Sequence, residues 1–215
     1  MTPPRRVVID PDRIMVVGDT GLLVELDELP AVLALAAAVR AAPPPGLIDV
    51  VPGARTVLLT LAAGTDLGVT RRELLALPVD PDGAEADAEA AEAVEIAVTY
   101  DGPDLEEVGR LTGLGVDGVV AAHTGTPWRV AFGGFAPGFA YLAGGDPRLD
   151  VARRDEPRTT VPAGSVGLAG EFSGVYPRPS PGGWQLIGRT DVELWNDERG
   201  ALLQPGGRVR FRAVS

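Results

Sequence analysis

The chain has 215 residues, 45 % hydrophobic and 23 % charged, and its 30 acids outweigh 19 basic residues for a net charge of −11. All 19 are arginines; lysine and cysteine are absent, and His123 is the single histidine. These absences exclude a P-loop lysine, Schiff-base and biotin chemistry, disulfides, thiol nucleophiles and most zinc centres. Catalysis, if there is any, draws on carboxylates, hydroxyls, arginines, backbone amides and His123.

In chain order, Arg13–Val17 and Leu22–Leu26 flank the turn Gly18-Asp19-Thr20-Gly21 and read as a β-hairpin. The spacing predicts a helix over Leu29 to Ala41: Pro30 suits a first turn, Leu29, Val32, Leu33, Ala36 and Val39 keep the helical period, and Pro43-Pro44-Pro45 stops it. Leu35 and the alanines make its other side apolar too, so it is either deeply packed or covered by a partner. Strands follow at Leu47–Val51 and Thr56–Leu61, then a helix over Arg71–Leu77 opened by the capping-box spacing Thr70-Arg71-Arg72-Glu73. The sum is a small α/β sandwich on an antiparallel sheet, residues 1–93, the first part of an α+β chain. It ends in Asp80–Glu95, which carries seven carboxylates and no arginine. That stretch reads as a solvated linker running into an exposed helix, with an acidic docking segment as the alternative.

Beyond it the texture changes. Val94–Tyr100 alternates as a strand, and a helix starts after Asp101-Gly102-Pro103 with Asp104, Glu106 and Glu107 in its first turn, where the helix dipole favours acids. A second short helix is predicted over Val116 to His123. From Pro127 onward the β runs Trp128–Phe132, Gln185–Arg189, Val192–Trp195 and Val209–Val214 lie among dense Gly/Pro turns, the pattern of a closed or nearly closed β-barrel over 94–215. The acidic balance argues against a nucleic-acid surface. The longest apolar helix-like run, Ala31–Ala42, is too short to span a bilayer and carries Arg40; with no signal-peptide pattern, the expected location is the cytoplasm, away from membranes.

Four features carry candidate chemistry. Gly133-Gly134-Phe135-Ala136-Pro137-Gly138-Phe139-Ala140-Tyr141-Leu142 describes a sharply turning backbone that either presents amides to an anion or a carbonyl oxygen, or forms a rigid barrel turn anchored by its aromatics. Val161-Pro162-Ala163-Gly164-Ser165-Val166-Gly167 lacks both the dinucleotide fingerprint and the nucleophile-elbow setting, so Ser165 is a turn residue unless a base lies near it. His123 is either a helix-end residue or the one near-neutral acid/base of the chain. Arginines 148, 153, 154, 158, 178 and 189 either balance the surface or grip an anionic ligand, and Gln185 beside Trp184 either orients an amide or fills the barrel.

Together, Phe132 to Leu142, Pro157-Arg158 leading into Val161 to Gly167, Tyr176-Pro177, and Ser180-Pro181-Gly182-Gly183-Trp184-Gln185-Leu186-Ile187-Gly188-Arg189-Thr190 resemble the B-subunit family of 5-oxoprolinase. That family also takes in the sporulation-kinase inhibitor KipI, and its members are often labelled allophanate hydrolase subunit 1. The resemblance implies a cyclophilin-like C-terminal barrel and a role, with the A and C subunits of 5-oxoprolinase, in opening 5-oxo-L-proline to L-glutamate; the complex uses ATP with Mg2+, cofactors that this chain is not expected to bind alone. It implies functional positions at His123 and Gln185 as catalytic groups, and at Gly134, Pro137, Gly138, Arg158, Gly164 and Ser165 for substrate or phosphate; no metal ligand is expected. With neither a lysine nor a P-loop pattern, phosphate charge would have to be met by arginines, glycine amides or a second subunit, and a composite site between this barrel and the C subunit is expected. A kinase-inhibitor role and a carboxyltransferase-like role in a urea or allophanate system are the other readings the family leaves open.

Overall fold

The computed structural model describes residues 7–81 and 92–214. They form two compact units, separated within 82–91; most of the acidic linker read at Asp80–Glu95 lies outside the described residues.

In the first unit, β1 (Ile14–Val17) and β2 (Gly21–Glu25) form the expected hairpin, and β3 (Leu47–Pro52) and β4 (Thr56–Leu61) complete a sheet in the order β1-β2-β4-β3, antiparallel throughout. Alternation puts Leu22, Val24, Val57 and Leu59 on one face, each wholly buried. Helix α1 (Leu29–Ala41) buries Ala31, Val32, Ala34, Leu35, Ala36 and Val39 in the same core, so its all-round apolar surface reflects deep packing. Helix α2 (Leu67–Ala76) starts four residues before the predicted Arg71. The Asp66 carboxylate caps it by accepting from the amides of Gly68 and Val69 at 2.8 and 3.1 Å, so Thr70 lies inside the helix.

The second unit is built on strands β5 (Ala93–Thr99), β6 (Trp128–Gly133), β7 (Ala140–Ala143), β8 (Arg158–Val161), β9 (Ser165–Ala169), β10 (Phe172–Val175), β11 (Ser180–Gly182), β12 (Gln185–Arg189), β13 (Trp195–Asn196), β14 (Gly200–Ala201) and β15 (Arg208–Val214). Seven of them close a barrel in the order β10-β7-β6-β15-β5-β12-β9, while β8 pairs with β11 and β13 with β14 as separate ribbons. The expected strand at Val192–Trp195 is irregular up to Leu194, and only Trp195 joins a ribbon. Closure depends on β5 and β15, the first and last strands of the unit, which run parallel from Ala93↔Arg208 to Thr99↔Val214. Side chains from opposite walls, among them Ile96, Val98, Val130, Leu142, Val166, Leu168, Ile187 and Phe211, fill the interior. Helices α3 (Leu105–Thr112) and α4 (Gly115–Gly125) pack against the barrel, α3 on β12 and α4 on β15.

Gly164, in the turn before β9, shows why this barrel needs its glycines. Its φ is +78°, its amide donates to the Tyr176 carbonyl at 2.7 Å and its carbonyl accepts from Thr190 N at 2.9 Å. A Cβ there would be driven into the Thr190 carbonyl oxygen. Gly164→Ala is therefore expected to cost roughly 2–3 kcal/mol, from the left-handed backbone and the forced separation of the turn. A urea titration of the two proteins measures it, and equal midpoints would refute it.

Candidate functional site

The 11 aromatic side chains divide unevenly. Phe132, Phe135, Phe139, Tyr141, Phe172, Tyr176 and Trp184 make one cluster, with neighbouring ring centroids 4.5 to 6.5 Å apart and most pairs edge to face. Five of them, Phe135, Phe139, Tyr141, Tyr176 and Trp184, join Arg153, Gly182 and Gly183 around a pocket of about 120 Å³. The β6–β7 loop supplies Phe135 and Phe139, β7 supplies Tyr141, the end of β10 leads into Tyr176, and the β11–β12 turn supplies Trp184. The segments that looked unusual in sequence therefore meet in space.

Phe135 is held in an unfavourable backbone conformation. Its φ is +66°, unique among the described non-glycine residues, and Ala136 N donates to Gly134 O at 2.7 Å, closing a γ-turn of the strained sense. Such a conformation costs about 1–3 kcal/mol and persists where surrounding structure imposes it. Here the ring stands 56 % exposed at the pocket, edge-on to Phe139 at 5.3 Å and Tyr176 at 5.9 Å. Gly138, at φ +83°, lets the same loop seat against Leu194 and Trp195, where a side chain would collide. Burial pushes the Tyr176 hydroxyl above its ordinary pKa, opposed by a backbone hydrogen bond at Trp184 and by the charges of Arg153 and Arg158. Arg153 is exposed and has no hydrogen-bond or ion-pair partner among the described residues.

Beside this pocket lies a polar cleft of about 620 Å³, which also has Arg153 in its wall, together with Glu107, Gln185 and the rest of the segment from Asp150 to Glu156. Its support is Asp104, 3 % exposed. The Asp104 carboxylate accepts from Arg154 Nη1 at 2.9 Å, Arg158 Nη2 at 2.8 Å and Leu186 N at 2.7 Å, and its own amide donates to Leu186 O at 2.9 Å. Sequence reading placed Asp104 in a helix first turn and missed this role; nothing local distinguishes it from Glu106 or Glu107.

The sequence-predicted site residues separate into different places. His123 is fully buried in α4, with Nδ1 2.7 Å from the Tyr100 hydroxyl, Nε2 2.8 Å from Ser173 Oγ, and its ring stacked on Phe211 at 4.3 Å. Its carbonyl accepts from Trp128 Nε1 at 3.0 Å. Burial lowers its pKa to about 3, so the ring is neutral near pH 7. Where an acid/base group was expected, both nitrogens are engaged inside the core, and the imidazole ties α4 to the barrel. Gly134 and Gly164 also use their amides within the chain, on Phe139 O at 3.3 Å and Tyr176 O at 2.7 Å, which leaves those donors to the turns and not to a phosphate. Pro137 has no amide to offer and shapes the β6–β7 loop. Ser165 is 6 % exposed at the start of β9, where its carbonyl accepts from Tyr176 N at 2.9 Å. Arg158 is held on Asp104, and Gln185 faces the polar cleft, away from the aromatic pocket. Among the described residues no three carboxylate or imidazole groups come together as metal ligands, and no helix is long and apolar enough to cross a membrane.

A pH consequence follows from His123. The unfolded chain protonates it near pH 6.5 while the folded chain resists down to about pH 3, so stability present above pH 6.5 is lost progressively as pH falls toward 3. The thermal midpoint of the wild type should drop more steeply between pH 6.5 and 4.5 than that of His123→Gln. Parallel curves would show that the imidazole does not contribute.

The described residues thus combine an α/β unit with a closed barrel, and the barrel unit carries an aromatic pocket and a guanidinium-lined cleft. Residues 12–203 match the family described as carboxyltransferase domain, subdomain C and D. The chain is 37 % identical over 209 residues to the 5-oxoprolinase B subunit of Escherichia coli O157:H7, covering 93 % of this chain and 94 % of that protein. It is 45 % identical over 127 residues to the 5-oxoprolinase B subunit of Bacillus subtilis (strain 168), covering 57 % of this chain and 53 % of the relative. The solved structure of TTHA0988 shares 39 % identity and a TM-score of 0.73 over 91 % of this chain, which spans 40 % of that longer chain. The urea amidolyase of K. lactis, at 18 % identity and a TM-score of 0.69 over 98 % of this chain and 16 % of its own, shares the fold. The chain belongs to the B-subunit family of 5-oxoprolinase, within the carboxyltransferase subdomain C and D group.

Proposed function

We propose that this chain is the B subunit of an ATP-dependent lactam hydrolase that opens 5-oxo-L-proline to L-glutamate together with A and C subunits, and that its aromatic pocket receives the lactam ring. The observation that carries the reading is the convergence of separate glycine-rich segments on a pocket of about 120 Å³ with a free guanidinium, Arg153, in its wall. An apolar cavity of about 150 Å³ holds benzene, so this one suits a single small ring and is too small for a purine with its sugar. A five-membered lactam offers flat faces to the aromatic walls and a carboxylate to Arg153.

Water adds its oxygen to the lactam carbonyl carbon, the ring C–N bond breaks and the nitrogen takes up protons; hydrolysis of the terminal ATP anhydride drives the conversion. Phosphate charge must be neutralised in such chemistry. This chain has neither a lysine nor a P-loop pattern, and the amides of Gly134 and Gly164 are engaged, so we assign ATP and its Mg2+ to the partner proteins and ring recognition to this one. The test is reconstitution with the A and C subunits, measuring ATP consumption with 5-oxoproline and, separately, with urea. The expected result is turnover with 5-oxoproline that Arg153→Gln lowers roughly 10- to 100-fold in kcat/KM, the scale of one lost charged hydrogen bond. Turnover with urea alone, full turnover by this chain in isolation, or indifference to Arg153→Gln would refute the assignment.

A further inference from the structure

The polar cleft holds one unsatisfied hydrogen-bonding atom of each kind. Gln185 is 6 % exposed, and its Nε2 donates to Ala152 O at 3.3 Å, which fixes the amide's orientation and leaves Oε1 buried without a donor. Arg154 gives Nη1 to Asp104 at 2.9 Å and leaves Nε buried without an acceptor. Both side chains line the same cleft; the two atoms are sealed from solvent, and a ligand toward which the side chains turn would relieve the desolvation penalty that unmet buried groups hold. An anion alone would satisfy Arg154 and leave Gln185 Oε1 unmet; a cation alone would do the reverse.

Charge narrows the choice. The cleft presents Arg153, and Arg154 already paired with Asp104, against Asp150, Asp155 and Glu156, with Glu107 held by Arg110 at its edge. A polyphosphate would meet more carboxylates than guanidiniums, whereas a molecule carrying both an ammonium and carboxylates matches both signs. We propose that this cleft binds the zwitterion of an acidic amino acid, its ammonium toward Gln185 Oε1 and the acidic rim, its carboxylates toward Arg153 and Arg154. The lactam reading above supplies the identity of that amino acid, L-glutamate, but not the class of ligand. Ring opening converts an uncharged amide nitrogen into an ammonium group, so the product acquires the group that the aromatic pocket does not serve and the cleft does. Arg153 lines both spaces and is placed to keep a carboxylate as the ligand passes from one to the other.

The experiment is isothermal titration of the chain with L-glutamate and with 5-oxo-L-proline. Glutamate is expected to bind, with Kd raised at least fivefold by Gln185→Leu and by the exposed double variant Asp155→Asn/Glu156→Gln, while the Kd for 5-oxoproline shifts less than twofold in the double variant. Circular dichroism checks that Gln185→Leu folds; if it does not, the double variant decides. Absence of glutamate binding, or binding indifferent to the variants, overturns the proposal. Glutamate binding with these dependencies but no affinity for 5-oxoproline upholds the amino-acid site and sinks the lactam reading instead.

Discussion

Asp104→Ala is expected to destabilise the chain by about 3–5 kcal/mol, the range measured when one partner of a buried ion pair is removed. The carboxylate is 3 % exposed and holds two guanidiniums and the Leu186 amide at 2.7 to 2.9 Å. Its loss leaves Arg154 and Arg158, with side chains 36 % and 23 % exposed, charged and uncompensated beside a buried amide. Asp104→Asn keeps an acceptor for Leu186 N and removes the charge, so it should fall between wild type and alanine. Chemical denaturation of the three proteins measures the series. An alanine variant within about 1 kcal/mol of wild type would place the pairs in the class of weak surface salt bridges. The effect should extend to function, because Asp104 positions the arginine and the start of β12 from which the polar cleft is built.

Trp184→Ala should cost a comparable amount, about 3–5 kcal/mol, as large-to-small changes of buried aromatics do. The indole is 5 % exposed and lies 5.4 Å from Phe139, 5.6 Å from Tyr141 and 6.5 Å from Tyr176, centroid to centroid. Removing it takes one wall from the aromatic pocket and part of the packing that imposes the Phe135 conformation through Phe139 and Tyr176. Binding of 5-oxoproline should therefore be lost even where the variant remains folded, which titration at low temperature would reveal. Trp184→Phe should restore most of the stability, since the ring cluster is kept. A folded alanine variant with wild-type lactam affinity would exclude the pocket as the ring site.

These two residues mark how far local sequence could be read. Trp184 stood out because it sits in a Gly/Pro-dense segment rich in aromatics, and the chain has few aromatics to distribute. Asp104 carried no such mark: an acid near a helix start is ordinary, and its partners lie 50 to 82 residues away. His123 drew attention by being the single histidine, yet chemical rarity says nothing of solvent access. Its partners Tyr100, Ser173 and Phe211 come from three different strands or strand ends, and only their convergence makes the imidazole a buried tie. Strands β7 to β11 escaped detection because pairs of three to five residues, several containing glycine, lack the length for an alternation signal.

What the sequence determined by itself is what rests on neighbours along the chain: the α1 period, the first hairpin, the Gly/Pro turns that point to a barrel, the chemistry excluded by missing lysine and cysteine, and the family. What the tertiary structure alone decided is which polar groups share a cavity and which are sealed. Barrel closure through the parallel β5–β15 pair sets those distances. The same closure that brings Arg153 to two pockets removes His123 from water, and hydrogen bonding and desolvation depend on proximity in space, which sequence spacing does not encode.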